Sequence, residues 1–129
     1  MNMKKIFASA FLLLAFAAMS FGQQAYSLYK LSGGQADADI VLKAMSIELK
    51  LTEAEFPKVK ELITTSARSQ AELFSKPESK NPETAAMIVN RQTNHIEANL
   101  KNILGEDRFK KYTEVKAAIE AKAKELGKN

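Results

Sequence analysis

Side chains able to do chemistry are few in this 129-residue chain, which has one histidine, no cysteine, 15 acidic and 19 basic residues. The histidine stands in NHIEAN as His95, with Glu97 two positions on and so on another face of a helix. Transition-metal sites need three or four N, S or O ligands, so an isolated imidazole reads as solvated or hydrogen-bonded. Met1, Met3 and Met19 belong to the N-terminal run, which leaves Met45 and Met87, too few for a copper(I) site. No serine has a neighbouring base, and no GxxxxGK[ST] stretch is present to cradle nucleotide phosphates. Glu53 and Glu106 are explained as first-turn acids favoured by the helix dipole. The residues therefore read as a binding protein, without cofactor or metal, and not as an enzyme.

The ends bound the compartment. Lys4 and Lys5 precede Ile6–Met19, which is apolar apart from Ser9, and Ser20 and Gly22 supply the small residues of a cleavage site. That run is short of the ~20 apolar residues a membrane helix needs. A secretory signal over residues 1–22, cleaved near Gly22, is expected, with no stable membrane insertion afterwards. An uncleaved anchor is the alternative, and the length argues against it. No cysteine follows the run to carry a lipid. Losing Lys4 and Lys5 lowers the basic count from 19 to 17 against 15 acidic residues, a mild excess. Nucleic-acid binders show a basic stripe with interleaved aromatics, so no nucleic-acid partner is expected. Without disulfides, helix packing or oligomerisation must stabilise the exported chain.

The remaining chain reads as all-α, with four helices and a long central hairpin. Residues 23–35 (QQAYSLYKLSGGQ) are expected to be a flexible linker, with docking of Tyr26, Leu28 and Tyr29 on the body as the alternative, and residues 36–129 the helical domain. A first helix over 36–49 carries Ile40, Val41, Ala44, Met45 and Ile47 as a broad apolar stripe. The second opens at Thr52, where Glu55 completes a capping box and Leu51 with Phe56 forms a hydrophobic staple. Its stripe continues through Val59, Ile63, Ala67 and Gln70. Residues 76–82 break the run, and Asn81 before Pro82 is a restart signal. The third helix runs to about Leu104, where Gly105 stops it, and a fourth follows to Leu126. Short links imply antiparallel neighbours.

Two features stand out from this frame. Residues 51–61 and 104–114, offset by 53, share Leu51/Leu104, Glu53/Glu106, Phe56/Phe109, Lys58/Lys111 and Glu61/Glu114. Two helix starts converging on one capping solution would produce the same matches. On either account Leu51, Phe56, Leu104 and Phe109 are expected to pin both starts into the core. The second feature is a polar waist in the hairpin, where TTSARSQ (64–70) faces NRQTNH (90–95). Either the small residues Ser66, Ala67 and Ser69 let the axes approach closely, or a thin arm lies open to a partner or a second copy.

LTEAE at 51–55 and ILGEDRFKKY at 103–112 resemble the paired LTXXQ motifs of the Spy/CpxP-like family of small periplasmic helical proteins. Leu51 and Thr52 match the first copy of that pattern, with Glu55 in place of its glutamine. In the second, Leu104 matches, Gly105 replaces the threonine and Arg108 the glutamine. Helix order, spacing and export signal extend the resemblance over roughly residues 36–126. It implies a periplasmic, curved, all-α cradle, often dimeric, with an ATP-independent chaperone or envelope-stress role toward unfolded proteins. The alternative is a regulatory adaptor binding one specific periplasmic protein, such as a sensor domain. Ile40, Val41 and Met45, with Arg68 and Arg91 near the waist, are the expected client-binding residues. Glu55 and Arg108 would form an ion pair if the two motifs meet.

Overall fold

A computed structural model describes residues 27–127 of the chain, and the expected signal segment with its cleavage site near Gly22 lies outside them. Every regular element among the described residues is helical. Helix α1 spans Gln35–Leu49, α2 spans Glu55–Phe74, and a 3-10 turn at Pro77–Lys80 leads into α3, Pro82–Gly127. Three helices thus stand where four were expected. The expected third and fourth are one helical run, and only Gly105 departs from helical backbone within it.

That one departure is large. Gly105 takes φ 83° and ψ 168°, a region that essentially only glycine occupies. Its effect shows in the contacts across it. The Tyr112 hydroxyl donates to the Glu97 carboxylate at 2.6 Å. In a straight helix those two residues, 15 apart, would be separated by about 22 Å of axis. α3 therefore folds back on itself, and its arms, 82–104 and 106–127, lie side by side.

The local start signals operate as the sequence implies. The Thr52 hydroxyl accepts from the Glu55 amide at 3.1 Å, and the Glu55 carboxylate accepts from the Thr52 amide at 3.0 Å. Asn81 caps α3 by accepting from the Glu83 amide at 2.8 Å, with Pro82 at the first helical position. α1 is capped differently: the Gly33 amide donates to the Asp37 carboxylate at 2.7 Å. A side chain at Gly33 would collide with that carboxylate.

α1 packs against both α2 and α3, which covers most of its broad stripe and leaves Ile47 44% exposed. Val41 and Met45, expected on a client-binding surface, are core residues at 2% and 0% exposure. Ile40 is half-buried against the same core, while Arg68 and Arg91 are exposed. Ile63, Ala67, Ile96, Leu100 and Ile119 complete the core from the other helices. The segment read as a flexible linker also contributes, because Leu28, Tyr29 and Leu31 are fully buried in it. Three large apolar residues within four positions bury enough surface to offset ordering of a short segment.

The bend yields a test. No atom lies within 4 Å of a side chain built at Gly105, so Gly105→Ala would cost backbone strain alone. We expect a loss of about 1–3 kcal/mol, read as a lower urea midpoint by helical circular dichroism. An unchanged midpoint would mean the fold-back does not need glycine.

Candidate functional site

The two motifs meet, and they meet at their fifth positions. The Arg108 Nε and Nη2 donate to the two carboxylate oxygens of Glu55 at 3.2 and 2.8 Å, across a separation of 53 residues. Nη2 also donates to the Lys50 carbonyl at 3.1 Å. Lys50 ends α1 in the left-handed conformation with φ 56°. One guanidinium thus joins the C-terminal end of α1, the capping carboxylate of α2 and the start of the second arm of α3. A cation at a helix C-terminus and an anion at a helix N-terminus are both favoured by the helix dipole.

Direct bonding from Arg108 holds the Glu55 carboxyl below its usual range, with the Thr52 amide assisting and partial burial opposing. The same contact raises the Arg108 guanidinium further above its already high value. Both groups are charged at neutral pH.

The neighbouring Phe56 does not play the anchoring part expected of it. With Glu55 turned inward to Arg108, the next residue lies about 100° around the helix, and Phe56 is 38% exposed. Leu51 and Phe109 are half-buried against the core and Leu104 is buried. The Phe109 ring packs against Tyr112 with centroids 5.4 Å apart. The motif pairing therefore rests on the charged fifth positions and on the leucines, not on two matched phenyl rings.

A second polar assembly fills the hairpin's waist. Gln70, fully buried, donates from Nε2 to the Tyr29 carbonyl at 2.7 Å, and its Oε1 accepts from the Leu31 amide at 2.9 Å. The Tyr29 and Tyr112 hydroxyls are 2.7 Å apart. Tyr112 gives its proton to Glu97, so Tyr29 is the donor between the two phenols. Lys116 closes the chain by pairing with Glu97 at 2.7 Å. Burial pushes both phenols well above their ordinary range, so both remain protonated donors. Of the waist residues, Ser66 and Ala67 are buried in close packing, and Gln92 reaches Ser69 at 3.4 Å. On its Gln70 side the waist is filled by the chain's own residues 28–31, while Arg68, Ser69, Asn90, Arg91, Asn94 and His95 stay exposed.

The sequence left docking of Leu28 and Tyr29 as an alternative but did not point to Gln70 and Tyr112 as their partners, although a signal was present. Gln70 falls on the apolar stripe of α2, where a buried amide requires backbone partners. Leu28, Tyr29 and Leu31 were the apolar cluster able to bring such backbone with them.

Beside the clasp lies a half-open cleft of about 440 Å³. Leu28, Tyr29 and Lys30 form one wall, Ala85 and Val89 of α3 another, and Lys116 and Glu120 its polar end. His95 is exposed and its carbonyl accepts from Asn99 at 2.8 Å. Among the described residues no three His, Cys, Asp or Glu side chains group as metal ligands would, and no helix is long and apolar enough to cross a membrane.

Both assemblies can be tested by stability. Arg108→Ala should cost about 1–2 kcal/mol at pH 7, reduced from a buried pair's worth because solvent screens the guanidinium. Glu55 has a depressed pKa in the folded state. Its contribution is therefore complete above the unfolded carboxylate pKa of about 4.3 and is lost as pH falls through the lower folded value. The variant should accordingly show a flatter acid limb in denaturation at successive pH values. An acid limb identical to that of the unsubstituted chain would contradict the pairing. Gln70→Ala orphans a buried amide and a buried carbonyl and should cost about 2–4 kcal/mol. Gln92→Ala, by contrast, should stay within about 0.5 kcal/mol. Equal urea midpoints for the two alanine variants would remove the clasp from the account.

Comparison with family models, with curated proteins and with solved structures found no match to this chain.

Proposed function

We propose that this protein is a non-enzymatic, ATP-independent chaperone or envelope-stress protein that acts in the periplasm and holds unfolded clients on its helical surface. The observation that carries the reading is the bidentate contact of Arg108 with Glu55. It joins the equivalent positions of two motifs that resemble the paired LTXXQ pattern, and it gives those positions a shared structural task. The resemblance supplies the chaperone role, and the charged pair replaces the two glutamines with partners able to bond directly.

The client surface in this proposal differs from the one the sequence suggested. Val41 and Met45 are withdrawn by burial. Arg68 and Arg91 remain, exposed on α2 and α3, together with the exposed Met87 and Phe56. Scattered apolar and cationic groups suit many weak contacts, each apolar one contributing at ~25 cal/mol per Å² buried. A homodimer of the kind the resemblance implies would add a second copy of that surface.

The adaptor reading is favoured by a different observation, the defined cleft beside the clasp. A shaped cleft suits one specific periplasmic partner better than a range of unfolded chains.

Aggregation assays separate the two. The mature chain at near-equimolar ratio, without nucleotide, should suppress aggregation of several unrelated denatured proteins. Arg68→Glu combined with Arg91→Glu should weaken that suppression. A chain that protects none of them, while in-cell crosslinking yields a single partner, would exclude the chaperone and leave the adaptor.

A further inference from the structure

The clasp at the waist has the properties of a receptor. Gln70 reads only main chain, one carbonyl and the amide two residues on, and every peptide offers that pair of groups. The Tyr112 hydroxyl, its own proton committed to Glu97, offers an acceptor to whatever aromatic donor lies against it. Leu28 and Leu31 fill apolar space on either side. The occupant is a turn, with the Lys30 amide donating to the Ser27 carbonyl at 3.2 Å, and belongs to no helix.

Two further features make the occupant replaceable. It joins α1 through Ser32, Gly33 and Gly34, where Gly34 takes φ 75°, a conformation glycine adopts freely, and the Gly34 amide bond to the Leu31 carbonyl at 3.0 Å is what exchange must break. On its other side the cleft sets open space directly against Leu28 and Tyr29. An incoming segment can therefore lie alongside residues 28–31 before it takes their place.

The geometry points to an exchangeable seat. Gln70 and Tyr112, the latter oriented by Glu97, bind a segment of an unfolded client bearing an aromatic residue and, two positions on, an aliphatic one; residues 28–31 fill the seat when no client is present. This deepens the client-holding function and rests on it. Tyr29 and Leu31 then act as an internal competitor, lowering apparent affinity by the fraction of time the seat is filled.

A fluorescein-labelled peptide SLYKLS, a copy of residues 27–32, is the probe, with anisotropy on the mature chain as the readout. Tyr29→Ala with Leu31→Ala vacates the seat and should tighten peptide binding at least about 10-fold. Adding Gln70→Ala should abolish that gain. Unchanged affinity in the double variant, or a gain that survives Gln70→Ala, would overturn the seat. A second arm keeps the native core. Lys30→Cys and Asn90→Cys, both lining the cleft, are joined by a flexible bismaleimide in this otherwise cysteine-free chain. Tethering should remove peptide binding relative to the same protein untreated, and equal binding before and after would overturn the proposal. Peptide binding without aggregation suppression would keep the seat and transfer it to an adaptor. Suppression without peptide binding would remove the seat alone.

Discussion

Arg108 carries the constraint on which the rest of the structure depends. Its guanidinium bonds a helix-ending carbonyl at Lys50 and both oxygens of a helix-starting carboxylate at Glu55. The Lys50 carbonyl is a group that a helix end leaves without an intrahelical partner, the Glu55 carboxylate is a paired anion, and a planar fork of donors is suited to satisfy both together. Because Arg108 lies three residues beyond the bend at Gly105, the fold-back of α3 and the meeting of the two motifs are one event. Lose that geometry and α1, α2 and the second arm of α3 are no longer tied at a common point.

The opposite need arises at the waist. A hairpin lined there by serine, threonine, asparagine and glutamine cannot close on apolar contact alone. The protein solves this with its own residues 28–31, whose backbone satisfies Gln70 and whose phenol completes a chain from Tyr29 through Tyr112 and Glu97 to Lys116. A chain this short buries a limited fraction of its surface and has no disulfide to compensate. Recruiting an N-terminal tyrosine and two leucines into the core is a direct way to enlarge it. The same arrangement leaves a cleft along the recruited segment.

Where expectation and structure part, the cause is the same in each case. Phe56 was read as a staple because its spacing from Leu51 is right. Glu55 turns toward Arg108 instead, and helical geometry then carries Phe56 outward. Val41 and Met45 were read as client-binding residues because the resemblance implies a cradle surface and the core was not expected to need them. Packing of α1 against both α2 and α3 buries these two side chains, while Ile47 on the same helix stays exposed. Residues 28–31 were read as linker because they have no period, but burial of a short irregular segment needs a receptor, not a period.

The helical class, the caps at Thr52–Glu55 and Asn81–Pro82, and the interruption at Gly105 were legible in the sequence alone. Each is decided by groups within four residues of one another, so local composition suffices. The Glu55–Arg108 contact was legible only conditionally, as a pair that would form if two motifs met. Which stripe residues face the core, what fills the waist, and where Phe56 points were decided by tertiary structure. Those outcomes depend on partners 39 to 83 positions away. A one-dimensional pattern of apolar and polar residues carries no direction toward partners so distant.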